Sequence, residues 1–209
     1  MRLTKFGHAC VRIEHEGRVV VVDPGVFTAP EAVDAATAVL LTHEHLDHTY
    51  ADNLRRTDAP IWTIAGVADS LRADAPDVAE RVSVVAPGQD FDAGLPVRAV
   101  GEWHAVIHAD LPRVHNCGYL IDAGERVFHP GDALTGPDEP VDVMCLVVSA
   151  PWMKASEAID FGRSVEAPRF VGIHDRVYSD AGLGIVDGHL TRLLGDDKEY
   201  VRLADGSDL

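Results

Sequence analysis

Short apolar runs recur along the chain, separated by polar and turn-forming residues. Those at 10–13, 19–22, 38–41, 82–85, 96–100, 117–121, 143–148 and 169–173 have strand length and are rich in Val, Ile and Leu. Residues 14–17 fit a hairpin turn between the first two. Helices are predicted at 50–56, 66–72, 155–165 and 183–194. In the third of these, Ile159, Phe161 and Val165 stand among charged neighbours, with Ser156 as the candidate cap. Strands interleaved with helices from one end to the other predict an α/β fold. No linker or internal repeat interrupts the pattern. With 46% hydrophobic residues in 209, the chain can bury one substantial core, and a single domain over 1–209 is expected.

The segment Thr42-His43-Glu44-His45-Leu46-Asp47-His48 directly follows the apolar run 38–41. Three imidazoles and a carboxylate thus fall on the loop where a buried strand ends. Imidazole suits zinc, and carboxylate oxygen suits zinc and harder cations. In extended backbone His43 and His45 point to the same side and can share one metal. Asp47 and His48, where the chain turns towards a helix, can be aimed at a second. Four residues on one loop cannot complete two coordination spheres, so partners are required. His104 follows the run 96–100, His174 follows 169–173, and Asp132 lies just after the apolar pair Val127-Phe128. Each repeats one arrangement, a ligand-type residue at the carboxyl end of a strand, where layered α/β proteins commonly build their sites.

These residues, in this order, resemble the motifs of the metallo-β-lactamase superfamily. The likeness includes the opening Gly7-His8-Ala9-Cys10 and the strand ending in Asp23-Pro24-Gly25, and it spans nearly the whole chain. Within the superfamily the chain looks most like the branch containing ascorbate-6-phosphate lactonase and related uncharacterised hydrolases. The resemblance implies an αββα sandwich, two mixed sheets between helix layers. It also implies one metal held by His43, His45 and His104, another by Asp47, His48 and His174, and Asp132 bridging the two. Asp23 would support the metal loop, and Asp47 would both touch the second metal and orient the nucleophile. The true β-lactamases place a cysteine in the second site, and nothing here supplies one, which argues against antibiotic hydrolysis.

The expected cofactor is therefore a pair of divalent ions, zinc by default, with manganese or iron also compatible with this donor set. A bound metal lowers the pKa of its water from about 15.7 to about 7, and two metals can polarise the substrate oxygen at the same time. Glu44 is expected to point away from the metals, and His129 to be a structural histidine at a strand end. His108 follows His104 by four residues. A helix there would put both on one face and bring His108 to the cleft as a catalytic candidate, whereas a loop would not. His8 is a second catalytic candidate, contacting substrate or oxyanion, with a hydrogen-bonded structural histidine as the alternative. His115 reads as a loop residue, and His15 and His189 as surface residues. Trp103, Trp152 and Met153 either wall the pocket or fill the core.

A formal charge of −16 disfavours long-range attraction of a polyanion, and no basic stretch like those of nucleic-acid binders occurs. Cys10, Cys117 and Cys145 form no CxxC pair and read as buried thiols in a reducing compartment. The amino terminus lacks an apolar core of signal-peptide length, and no run approaches membrane-spanning length. A soluble, cytoplasmic hydrolase acting on a small ester, lactone or phosphoester is the expectation, without nucleic-acid or membrane partners. The alternatives are a phosphodiesterase or nuclease acting on RNA or a cyclic nucleotide, and a non-catalytic metal-binding protein.

Overall fold

The chain folds as two sheets laid down one after the other, as a computed structural model describing residues 1–209 shows. The first sheet runs in chain order through β1 (Arg2–Lys5), β2 (Val11–His15), β3 (Arg18–Val22), β4 (Ala38–Leu41), β5 (Ile61–Thr63) and β6 (Val82–Val84). The second runs through β7 (Asp90–Asp92), β8 (Pro96–Val100), β9 (Gly118–Asp122), β10 (Arg126–His129), β11 (Val143–Val147), β12 (Arg169–Ile173) and β13 (Glu199–Val201). In each sheet the early strands pair antiparallel and the later ones parallel. Parallel neighbours end at the same edge, which is what collects ligand residues there.

Alternation within the strands decides which faces meet. In β3, Val20 and Val22 enter the main core, while Val21 joins Cys10, Ala32 and Val33 in a small cluster on the other face. A 3₁₀ turn at Pro30–Val33 covers that cluster. The main core joins Leu40, Leu41 and Ile61 of the first sheet to Tyr119, Phe128, Met144 and Phe170 of the second. Helices α2 (Ala65–Asp74) and α3 (Pro76–Ala79) lie beside the first sheet, α2 against β6. Helix α4 (Ala155–Ser164) packs on β11 and on α5 (Asp180–Leu193). The result is the α/β sandwich expected from the resemblance. No helix is long and apolar enough to cross a membrane.

Several boundaries differ from the sequence reading. The helix expected at 50–56 is one turn, α1 (Ala51–Leu54). Ser156 is not a cap, because α4 starts at Ala155, and the Glu157 carboxylate instead accepts the Lys154 backbone N–H at 2.7 Å. Helix α5 starts three residues earlier than expected, where Ser179 Oγ accepts the Gly182 N–H. The turn at Glu16 and Gly17 places both in the left-handed region, with φ of 48° and 77°, as a tight two-residue hairpin requires.

The carboxyl-terminal segment returns to the first strand. Leu209 N–H donates to Leu3 O, Lys5 N–H to Ser207 O, and Gly206 N–H to Lys5 O. These bonds cover the open edge of β1. Lys5 is buried there, with Nζ 2.7 Å from Asp175 Oδ2 and 3.1 Å from Asp205 Oδ1. Removing the buried ammonium leaves the Asp175 carboxylate with only Arg202 Nη1, 3.8 Å away. Lys5→Met is expected to destabilise the protein by about 3–5 kcal/mol in denaturant unfolding, the usual loss on breaking a buried pair. Asp205→Asn should cost clearly less, because that carboxylate is more than a third exposed.

Candidate metal centre

Asp23 and Thr42 stand side by side at the carboxyl ends of the parallel strands β3 and β4. Asp23 Oδ1 accepts the Thr42 N–H at 2.8 Å, and Oδ2 accepts the Thr42 hydroxyl at 2.7 Å. The same Oδ2 lies 2.7 Å from His48 Nδ1, which donates to it. One buried carboxylate thereby fixes both ends of the loop 42–48. Gly25 lies against that loop so closely that a Cβ would sit 1.8 Å from the Asp47 carbonyl oxygen. Inside the loop, His48 and Thr49 N–H groups both donate to His45 O.

The second sheet supplies the rest through loops at its own edge. His104 follows β8, Asp132 follows β10 and His174 follows β12. Each is nearly fully buried. Asn116 holds Asp132 in place, its Oδ1 accepting the Asp132 N–H and its Nδ2 donating to Pro130 O. Gly131, at φ 60°, leaves no room for a side chain beside Asn116 and Thr42. Hydrogen bonds also join the two sheets here: Cys117 N–H to Thr42 O, Tyr119 Oη to Leu41 O, and His129 Nε2 to Ala9 O. His129 Nδ1 accepts the Gly131 N–H, so both of its nitrogens serve the framework.

The ligand atoms converge in two groups, within each of which they lie within 4.8 Å of one another. His43, His45, His104 and Asp132 form the first, and His8, Asp47, His48 and His174 the second. Asp132 faces both, with Oδ1 3.2 Å from His48 Nε2 and Oδ2 3.4 Å from His104 Nε2 and 3.2 Å from His174 Nε2. The far nitrogens of the rings are already engaged. His43 Nδ1 contacts the Thr42 hydroxyl, His104 Nδ1 the Ala105 carbonyl, and His174 Nδ1 the Ser149 carbonyl. These bonds place the Nδ1 protons outward and leave the Nε2 lone pairs facing inward.

Four of the inward atoms have no partner at all. Nε2 of His48, His104 and His174, together with Asp132 Oδ1, are buried and lack any hydrogen-bond partner. Buried polar groups are rarely left so, and four so close together call for a cation. Charge confirms the pull. Burial resists ionisation of Asp47 and Asp132, yet the facing histidines hold both carboxyls below their usual range. Burial likewise opposes charge on His48 and His174, but the carboxylates outweigh it, raising His48 well above its ordinary value and His174 to about 9. The same negative charge that favours a proton on these rings would favour a divalent ion in its place.

His8 is drawn into the second group by a strained backbone, with φ at 49°. Its carbonyl accepts the His174 N–H and its Nδ1 accepts the Arg176 N–H at 3.2 Å. The remaining proton is therefore on Nε2, which donates to Asp47 Oδ2 at 3.1 Å. Burial pushes His8 down to about 4 against the opposing pull of Asp47, so the ring is neutral at pH 7.

His108 does not join them. Residues 104–108 form no helix, and the ring stands at the surface 3.7 Å from Asp110. The i, i+4 geometry that would have turned it to the cleft is absent. Trp152 does reach the site, its ring edge-on to His104 at 5.4 Å while also packing on the core with Met153. Trp103 instead stacks on His115 at 4.1 Å and is partly exposed. Glu44 keeps its carboxylate near Gly66, away from the ligand atoms. The supports Asn116 and Ser149 carry no signal in the sequence that marks them out.

The sequence pattern of the family described as the Beta-lactamase superfamily domain matches residues 2–174, more than half of the chain and all of the ligand set. This chain belongs to that superfamily. It is 38% identical to Protein Rv0786c of Mycobacterium tuberculosis, covering 94% of each. It is 24% identical to a UPF0173 metal-dependent hydrolase of Thermoplasma volcanium, covering 83% of each. Among solved structures, Igni18, described as a novel metallo hydrolase from Ignicoccus hospitalis, superposes with a TM-score of 0.75 at 18% identity, covering 100% of this chain and 97% of that one. At that identity the likeness speaks for the fold alone. Superfamily membership and the donor set both point to a metal-dependent enzyme.

Asp23 supports the site without being one of its converging ligands. Asp23→Ala is expected to weaken metal binding 10- to 100-fold, the usual effect of losing such a support. Competition against a chelator would measure it, with a shift below threefold counting against this role.

Proposed function

We propose that this superfamily member is a hydrolase with a binuclear centre, acting on a small ester, lactone or phosphoester. The observation that carries this reading is the set of buried, unpartnered ligand atoms converging from separate loops on two adjacent points. His43, His45 and His104 would hold one ion, Asp47, His48 and His174 the other, and Asp132 would serve both. Zinc is the default for this nitrogen-rich set, with manganese or iron compatible. When bound, such ions make water a nucleophile at neutral pH and polarise the substrate oxygen.

The chain's own residues supply the aim and the proton handling. Asp47 is partly exposed, so its carboxylate faces both the metal cluster and the solvent side. His8 occupies Oδ2 by donation from Nε2, which leaves Oδ1 to accept a proton from the attacking water. His8 acts here as a positioning residue. Its Nδ1 is committed to the Arg176 N–H, so it would join a metal only by giving up that tautomer. A nuclease reading is weaker, because the chain carries a net charge of −16 and Arg176, beside the site, is paired with Asp205.

Two ions per chain are expected by elemental analysis after saturating reconstitution, and one or none would count against the binuclear reading. Removing them should lower the melting temperature, since one site with free metal at 100 times its Kd contributes about 2.7 kcal/mol. Activity profiling of the reconstituted protein against lactones, thioesters, phosphomonoesters and phosphodiesters tests the reaction class. For the substrate so found, Asp47→Asn should lower kcat by about 10²–10⁴ with both ions retained. His8→Ala should cost less, and a near-normal rate in Asp47→Asn would overturn its assignment.

A further inference from the structure

The surface is acidic overall, yet the loops around the metal centre expose apolar side chains. Val26, Phe27, Leu46, Val106, Ile107 and Val177 all stand out to solvent, Leu46 being 68% exposed and Val106 59%. Outside the loops that carry site residues, only Val84, Ile185 and Leu209 are large, apolar and exposed. Exposed apolar residues are ordinary when scattered, but concentration on the loops around one site calls for an occupant.

The positions of these residues tie them to the ligands. Val26 N–H donates to Leu46 O at 2.8 Å, so the loop after β3 and the metal loop form one lip. Leu46 itself lies between His45 of the first group and Asp47 of the second. The Phe27 ring meets His8 edge-on at 5.3 Å. A second stretch begins where Ala105 N–H donates to the backbone carbonyl of Asp132 at 2.8 Å, so that Val106 and Ile107 follow directly on a residue held to the loop of the shared ligand. Val177 follows Arg176, whose N–H binds His8.

Charge narrows the occupant. Of the arginines of these loops, Arg176 is paired with Asp205, and Arg113 gives Nε to His104 O and lies over the Trp103 ring. These loops carry little positive charge to receive a phosphate in a chain of net charge −16, whereas the apolar rim suits hydrocarbon. We propose that the substrate carries an uncharged acyl or alkyl chain, which lies along this rim while its ester or lactone carbonyl meets the metal centre. This rests on the hydrolase reading above and selects esters and lactones within it. Covering the rim would also exclude water from the reacting atoms, where electrostatic interactions gain strength.

A series of linear hydroxamates, from acetyl to octanoyl, tests the rim by binding rather than turnover. The hydroxamate group engages the metals, and the chain reports on the rim. Calorimetry on the zinc-loaded protein should show affinity rising about two- to fourfold per methylene, as burial of hydrocarbon predicts. Phe27→Ser and Ile107→Ser, with metal content and melting temperature checked, should flatten that slope. Ile185→Ser, on α5, should leave it intact. Affinity independent of chain length, with acetohydroxamate still bound, would overturn the proposal and spare the metal centre. Absence of any hydroxamate binding to the loaded protein would overturn both. A wild-type dimer dissociated by Phe27→Ser, or wild-type binding to phosphatidylcholine vesicles lost in that variant, would assign the rim to a second copy or a membrane if the slope is also flat, and would overturn the proposal.

Discussion

Six imidazoles and two carboxylates crowded at one edge of an apolar core cannot be left to find their own balance. Buried lone pairs without donors are costly, and buried charges cost more unless paired. The fold meets this by directing Nδ1 of His43, His48, His104 and His174 to fixed partners, which turns their Nε2 atoms on common points. A cation then satisfies in one step what hydrogen bonds leave open. Local strain follows from the same demand. His8, Asp23 and His174 all adopt left-handed backbone, at φ 49°, 50° and 60°, which for residues other than glycine costs about 1–3 kcal/mol each.

What holds such strain is the framework behind it. Tyr119 Oη, Cys117 N–H and His129 Nε2 bridge from the second sheet to the first within a few residues of the ligands. Asp23 binds Thr42 and His48 together, so that neither end of the metal loop moves without breaking a buried bond. Gly25 and Gly131 allow backbone to approach where any side chain would collide. Precision at the centre is thus a property of two sheets meeting, since neither carries a full set of ligands.

The sequence revealed most of this where one residue type has one strong reading. Apolar runs ending in His or Asp located β4, β8, β10 and β12, and the ligand-type residues after them do come together. Edge strands were less visible. The tetrapeptide forming β1 and the tripeptides forming β7 and β13 are too short and too polar to show a period, and become strands only because a neighbour offers its edge. His108 was ambiguous because its spacing carried meaning only on a helix, and no helix forms there. Lys5 carries no mark of burial in the sequence, since nothing nearby announces Asp175 and Asp205 as its partners 170 and 200 positions on. The unremarkable Asn116 and Ser149 illustrate the same limit: a support is defined by what it touches.

Chemistry and selectivity occupy different parts of this molecule. The ligands lie at strand ends, fixed by buried hydrogen bonds, and any substrate with a hydrolysable carbonyl or phosphoryl group could be activated there. Phe27, Leu46, Val106 and Ile107 lie on the intervening loops, where exchange of a side chain disturbs little of the core. Superfamily membership therefore accounts for the centre and is silent about the rim. The rim, in turn, is what can separate an apolar ester from a phosphate ester when both would suit the same metal centre. Its exposed hydrocarbon is a standing cost in solubility, offset only if something apolar covers it during the working cycle. The position of that hydrocarbon, beside Asp47 and His8 on one side and Asp132 on the other, makes the substrate itself the simplest covering.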